Sequence, residues 1–385
     1  MKRFLPAALL LVAACSSSRP NQPATAIQSL TIGNYSADMG PSPVGVIPAA
    51  TLHDGARNKD LEISIEYPTR GGPFPILVFS HGYGSSDRGY EPLISYWTSN
   101  GYVCIRPSHA DAGALRDTSR DALTPPPMSQ GRRGGRQPQA QITPIVPQTN
   151  RMEDIWDHER EPQWRNRALD IKLVLDSLDD IERQFPELRG KMDHKRIGVG
   201  GHSYGAFTAL LIAGMNSTFA DPRVGAVVAM SPPGPSVMRG ITAQSFMTIK
   251  VPTLFMTGTN DRGVSESENP DWRKQAFENS PPGDKYFALI DGARHSSFTG
   301  LVSFYDVQPQ VPVPTSTNPY YGQQPMPQQQ RGAMVFGNDR RIFQIVKIAS
   351  LAFWDADLKS DTAARDLLSP QKFESAFAGA HLTTK

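Results

Sequence analysis

The chain has 385 residues, 39% of them hydrophobic, with 39 Lys and Arg against 37 Asp and Glu, 32 Gly, 34 Pro and two Cys. That apolar fraction supports a real core and excludes wholesale disorder, and the length suits one large α/β domain or two small ones; two cysteines cannot build a disulfide scaffold. The formal charge of +2 gives no support to nucleic-acid binding, the less so because removal of Lys2 and Arg3 with a leader would leave 37 of each sign.

That leader is legible. Met1-Lys2-Arg3 is a basic start, Phe4 to Ala14 is a short apolar run, and Leu11-Val12-Ala13-Ala14-Cys15 resembles a bacterial lipobox, in which the thiol is acylated and the peptide is cut just before it. Residues 1–14 are therefore expected to be a lipoprotein signal, with the lipid on Cys15. Ser16, in place of Asp, resembles lipoproteins passed on to the outer membrane of the cell envelope. The alternative is an ordinary secretory peptide with a secreted or periplasmic product. A run of 11 apolar residues is too short to span a bilayer, so the membrane attachment is expected to be lipid and not helix. Residues 15–40, rich in Ser, Pro, Asn and Gln, suit a flexible tether, and the folded domain is expected over 41–385.

Along that domain Leu61 to Tyr67 alternates as a strand does, and Pro75 to Ser80 is a continuous apolar run that reads as a buried strand. A helical stretch around Leu93 to Ser99 leads into a strand at Tyr102 to Arg106, where Cys104 reads as a small buried hydrophobe. Between Arg165 and Ile181 apolar residues recur mostly at three and four, marking an amphipathic helix. Strands follow at 196–200, 224–230, 252–257 and 286–290, with helices at 204–213, near 272–277 and at 341–357. Alternating strands and helices predict an α/β fold with a mainly parallel sheet covered on both faces. Two low-complexity insertions interrupt the order. Residues 122–150 carry Pro125-Pro126-Pro127 and the Arg132, Arg133, Arg136 cluster; residues 307–332 are dominated by Pro and Gln around Tyr320-Tyr321. Both leave the sheet at its carboxyl edge, which places them to border a site there.

The chemical signal is Gly201-His202-Ser203-Tyr204-Gly205. The five-residue pattern alone is weak, but a strand runs straight into it and Ala206 to Ala213 runs out as a helix, the strand-turn-helix that a nucleophile elbow requires. A serine hydroxyl is a poor nucleophile at neutral pH, so Ser203 needs a base and an acid to orient that base. On such a fold the order is Ser, then Asp or Glu, then His. Asp261 follows the strand 252–257, and His295 follows the strand 286–290. Of the eight histidines only His295 and His381 lie beyond Asp261, and His381 is in the last five residues. The expected triad is Ser203, Asp261 and His295. Two backbone N–H groups should hold the oxyanion, one from Tyr204 and one from the loop His81-Gly82-Tyr83-Gly84, assigned to Tyr83 with Gly82 as the alternative. His81 and His202 flank tight turns and are read as hydrogen-bonding supports. No metal set and no dissociable cofactor are expected.

Phe79-Ser80-His81-Gly82, Gly201 to Ala206, Ala229-Met230-Ser231-Pro232, Thr257 to Asp261, Gly283 to Tyr286 and Gly292 to Phe298 together resemble the dienelactone-hydrolase-like branch of the α/β-hydrolase superfamily, which is related to platelet-activating-factor acetylhydrolases and cutinase-like polyesterases. The resemblance runs from about Val44 to Leu358 outside the insertions. It implies a serine esterase acting on a small-molecule, lipid or polymer ester; a monomer is expected. Dienelactone hydrolases proper use a cysteine nucleophile, so their substrate does not carry over to Ser203. The related acetylhydrolases place their acid just after the strand that follows the nucleophile helix, but Val224 to Met247 holds no Asp or Glu, which supports Asp261 as in cutinase-like enzymes. The alternatives are a peptidase or acyltransferase on the same fold, or a non-catalytic envelope binding lipoprotein.

Overall fold

The computed structural model describes residues 28–113, 163–236, 240–263, 267–300 and 328–385, with side chains in the last stretch from residue 340. Cys15, the 122–150 insertion and residues 307–327 of the second insertion lie outside these residues. In chain order a short hairpin, β1 (Thr31–Ile32) and β2 (Tyr35–Ser36), precedes β3 (Val44–Asp54), β4 (Lys59–Pro68), β5 (Phe74–Ser80), α1 (Glu91–Ser99) and β6 (Val103–Pro107). The chain continues through α2 (Gln163–Asp176), α3 (Leu178–Gln184), β7 (Met192–His202), α4 (Tyr204–Leu210), β8 (Val224–Met230), α5 (Ala243–Phe246) and β9 (Thr253–Gly258). It closes with α6 (Pro270–Glu278), β10 (Lys285–Ile290), α7 (Gln328–Leu358), α8 (Thr362–Leu367), α9 (Pro370–Ala376) and β11 (Ala380–Thr384).

Nine strands form one sheet in the order β11-β10-β9-β8-β7-β5-β6-β4-β3. The strands from β10 to β6 are mutually parallel, while β11 pairs antiparallel with β10 at one edge and, at the other, β4 pairs antiparallel with β6 and β3 antiparallel with β4. This is the mainly parallel α/β-hydrolase sheet. Its interior strands are apolar on both faces because both are covered: in β5, Ile76 and Val78 join the core under α2 and α4, while Leu77 and Phe79 join the core under α1 and α7. On that second face Trp97 of α1 meets Trp354 of α7 edge-on, centroids 5.9 Å apart, and its Nε1–H donates to Ser350 Oγ at 3.0 Å. Cys104 is buried on β6, and burial pushes its thiol up to about 12.

The interior strands and the helices beside them fall where the apolar runs place them; the edges do not. β3 carries Pro48 at a register shift between Ile47 and Ala50, which an edge strand tolerates because one of its sides has no ladder to complete. The single helix expected over Arg165 to Ile181 is two, parted at Ser177, and the last long helix starts at Gln328, well before Arg341.

One feature of the strand order positions the site. β5 has β6 on one side and β7 on the other, so the winding direction reverses there and a crevice opens beyond the carboxyl ends of β5 and β7. Ser80 pairs with Gly201 at that edge, which brings the loop after Ser80 beside the turn at Ser203.

Candidate active site

Ser203 is the one residue between β7 and α4, held at φ 56° and ψ −116°, a backbone region that side-chain-bearing residues seldom occupy. The turn is tight because its glycines let backbones touch: a Cβ on Gly205 would run into the Ser80 carbonyl, and one on Gly201 into the Gly205 backbone. Hydrogen bonds pin it, from Ser203 N–H to the Met230 carbonyl at 2.8 Å and from Phe207 N–H to the Ser203 carbonyl at 3.1 Å. The result is a half-exposed serine at the carboxyl edge of the sheet.

Asp261 and His295 come from neighbouring strand ends, since β9 and β10 pair in parallel up to Gly258 and Ile290. Asp261 is fully buried, and its Oδ1 lies 2.9 Å from His295 Nδ1. Its Oδ2 accepts from Ser231 Oγ at 2.6 Å and from Thr257 Oγ1 at 2.8 Å. Arg273 of α6 completes the cage: Nε lies 3.0 Å from Asp261 Oδ1, Nη1 donates to the Ser231 carbonyl at 2.9 Å, and Nη2 lies 3.3 Å from His295 Nδ1. Burial alone would raise the Asp261 carboxyl, but the Arg273 charge, then His295 and the Ser231 hydroxyl, outweigh it and hold the group far below the usual carboxylate range. An ionised acid on Nδ1 keeps the proton there and leaves Nε2 as the basic nitrogen.

His202 joins the serine turn to the histidine loop. Its Nε2–H donates to the His295 carbonyl at 2.7 Å, its ring centroid is 4.7 Å from that of His295, and its Nδ1 accepts from the Tyr90 hydroxyl at 2.8 Å. Burial, followed by the neighbouring His295 charge, pushes His202 down to about 3, so it is a neutral hydrogen-bonding strut at physiological pH. His381 lies on β11 opposite Leu289, half-exposed beside Asp291 and Glu374, and away from Asp261.

The loop after β5 is equally defined. Gly82 N–H donates to Tyr90 Oη at 3.1 Å and Gly84 N–H to Asp111 Oδ2 at 2.9 Å, so both glycine amides flanking Tyr83 are engaged by side chains. That removes Gly82 as an oxyanion donor in this conformation. Tyr83 and Tyr204, the two residues singled out for their backbone N–H groups, face each other with ring centroids 6.2 Å apart. His81 points inward: its Nε2 accepts the His109 N–H at 3.2 Å and its Nδ1–H donates to the Gly82 carbonyl at 2.8 Å. Among the described residues, no group of three or more His, Cys, Asp or Glu is placed to hold a metal ion.

Residues 57–305, more than half of the chain, match the family described as platelet-activating factor acetylhydrolase, isoform II. The chain belongs to that family. The platelet-activating factor acetylhydrolase family is one of carboxylic ester hydrolases with the α/β-hydrolase fold. The chain is also similar to the platelet-activating factor acetylhydrolase of Canis lupus familiaris, with 23% identity over an alignment of 245 residues, covering 59% of this chain and 48% of that protein. It thus spans about half the length of the curated relative it matches. The family match takes in β4 to β10 with Ser203, Asp261 and His295, and ends before α7, α8, α9 and β11.

Four residues around the acid and the serine turn were not found by reading the sequence: Tyr90, Thr257, Ser231 and Arg273. Ser231 had a signal, since it directly follows β8 in the stretch Ala229-Met230-Ser231-Pro232, at a strand end on the same edge as Ser203. Arg273 had none, because one arginine on an amphipathic helix looks like any other surface cation.

Proposed function

We propose that this protein is a serine esterase that forms an acyl-enzyme on Ser203. His295 Nε2 takes the Ser203 proton as the hydroxyl oxygen attacks the ester carbonyl, and Asp261 steadies the imidazolium through Nδ1–H. The oxyanion settles on the N–H groups of Tyr204 and Tyr83. When the tetrahedral intermediate collapses, the alcohol leaves with the proton from His295; His295 then deprotonates a water that attacks the acyl carbonyl, and returns that proton to Ser203 Oγ as the second tetrahedral intermediate collapses and the carboxylic acid is released. The observation that carries this reading is the His295–Asp261 pair at 2.9 Å, packed through His202 against the strained turn that presents Ser203. The acetylhydrolase of the relative's name supports a short acyl group.

The test is labelling with a fluorophosphonate probe together with a panel of p-nitrophenyl esters from acetate to palmitate and an aromatic polyester. Labelling on Ser203 with fastest turnover of the short esters is expected. A protein that folds but neither labels nor turns over any ester is a binding lipoprotein on a hydrolase scaffold, and one that cleaves amides faster than esters is a peptidase. Transfer of the acyl group to an added alcohol in preference to water would mark an acyltransferase.

The leader supports a second part of the proposal, that lipid on Cys15 anchors the enzyme to the envelope with residues 15–40 as tether. A third part is that the insertions at 122–150 and 307–332, which follow strands of the sheet in the sequence, contribute to binding large or extended substrates. Deleting each and comparing a soluble ester with a polymer tests this, since equal rates on both substrates would show them to be passengers.

A further inference from the structure

Beneath the loop after β5 lies a second Ser–His–Asp series, with all three residues buried. Ser80 Oγ–H donates to His109 Nε2 at 2.9 Å, and His109 Nδ1–H donates to Asp170 Oδ2 at 2.9 Å. The hydrogen-bond order is that of a catalytic triad, but Ser80 sits on a regular strand with no exposure, and its Oγ also accepts from Arg167 Nη1 at 3.3 Å. It has no route to a substrate. Asp170 is held from outside as well, by Arg57 Nη1 at 2.7 Å and Lys59 Nζ at 3.0 Å, so its charge is paired on both sides.

Arg167 connects this series to the loop. It grips Asp111 through Nε at 3.0 Å and Nη2 at 2.7 Å, and its Nη1 donates to the His81 carbonyl at 2.7 Å. Asp111 then accepts the Gly84 N–H, and His81 accepts the His109 N–H. The guanidinium lies 4.4 Å over the Tyr204 ring, the residue after the nucleophile. Residues 81 and 84 are thereby fixed by one buried network that also touches the residue supplying the other oxyanion donor.

We propose that Ser80, His109, Asp170, Arg167 and Asp111 are positioning residues that hold Tyr83 N–H and Tyr204 N–H at the spacing an oxyanion needs. This rests on the esterase reading of Ser203. The network touches no reacting atom, so its contribution is to the transition state and not to binding of the ground-state ester. Burial, followed by the Arg167 charge, pushes His109 down to about 4 despite Asp170, and the neutral ring is the form that accepts from Ser80 and donates to Asp170 at once.

The experiment compares Ser80→Ala, His109→Gln and Asp111→Asn with wild type, and includes Ser203→Ala. Each is read by thermal melting, by kcat and KM on p-nitrophenyl acetate, and by inhibition with a trifluoromethyl ketone, whose adduct mimics the tetrahedral oxyanion. Folded variants should lose about 10- to 100-fold in kcat with KM changed less than about threefold. Their affinity for the ketone should fall in step with kcat/KM. Asp111→Asn is the mildest change, since it keeps an acceptor for Gly84 N–H and loses only the ionic grip of Arg167, so it serves if His109→Gln does not fold. Wild-type kcat and ketone affinity in a folded Ser80→Ala or Asp111→Asn protein would overturn the proposal. So would a loss confined to stability or KM. Activity surviving in Ser203→Ala would instead remove the esterase reading on which the proposal stands.

Discussion

The Tyr90 hydroxyl donates to His202 Nδ1 at 2.8 Å, and that single bond ties together the two loops that flank Ser203. Tyr90 receives the Gly82 N–H and His202 gives its other N–H to the His295 carbonyl, so a displacement of one loop is transmitted to the other. Tyr90→Phe removes one oxygen and leaves a buried amide and a ring nitrogen without partners. It should lower stability by about 1–3 kcal/mol and lower kcat, with little change in KM. Thermal melts and steady-state kinetics on one ester check both, and an unaltered kcat would show that the two loops hold their positions independently.

Replacing Ser203 or His295 by Ala should abolish esterase activity in a folded protein, and the double variant should be scarcely worse, since members of a triad act as a unit. Retention of more than a trace of turnover by Ser203→Ala would remove it as nucleophile.

Asp261→Asn should behave differently. It should lose less activity than those two but more stability, because it strips the counter-charge from a buried Arg273. Removing one partner of a buried pair costs about 3–5 kcal/mol. Adding Arg273→Met to Asp261→Asn should restore much of the melting temperature. A melt for Asp261→Asn equal to wild type would mean that Arg273 is satisfied by the Ser231 and Pro232 carbonyls alone.

Stability should decline on acidification before the Asp261 and Asp111 carboxylates titrate. His109, facing Arg167, Asp170 and Asp111, is pushed to about 4, and His202, facing His295, Asp261 and Arg273, to about 3. In the unfolded chain both take up a proton near 6.5. Between that value and the folded ones the unfolded state binds more protons, so stability is complete above about 6.5 and falls with decreasing pH, by up to ~1.4 kcal/mol per unit for each ring. Asp261 and Asp111, whose ionised forms the fold favours, add their losses only below about 4. Melting temperatures at pH 7.5, 5.5 and 4.5 should drop in that order, and a level profile would contradict the neutral assignment of these rings.

Lipid on Cys15 should place the full-length protein in the membrane fraction, and Cys15→Ser should release it or block its maturation. Recovery of the unaltered protein wholly in the soluble periplasmic fraction would dispose of the anchor.

The parts of the fold legible in the sequence are those where burial is one-sided in character. β5, β8 and β9 are continuous apolar runs because helices cover both faces, and the Gly-x-Ser-x-Gly turn announces itself because only glycine fits where strand and helix backbones touch. β3 was missed because Pro48 breaks its pattern, and β11 because a five-residue edge strand carries few apolar positions. Around the site, Asp261 and His295 were readable from their places at strand ends. The buried polar partners were not. What makes Ser80, His109 and Arg167 a network is contact across 29 to 87 positions of sequence, and no local spacing records it.

Ser231 and Asp261 touch from the ends of adjacent strands, and this makes the acid of the site a movable part. A carboxylate at either position would lie within reach of the cage built from Thr257, Arg273 and the His295 ring, while Ser203 and His295 need not shift. Moving the carboxylate from the second strand end to the first would therefore take two substitutions, Ser231→Asp and Asp261→Ser, with an intermediate bearing both carboxylates. Arg273, already bonded to the Ser231 carbonyl and paired with Asp261, is the cation able to neutralise that intermediate. Such a transfer of the carboxylate between strands then requires no stage at which the histidine is left without a partner.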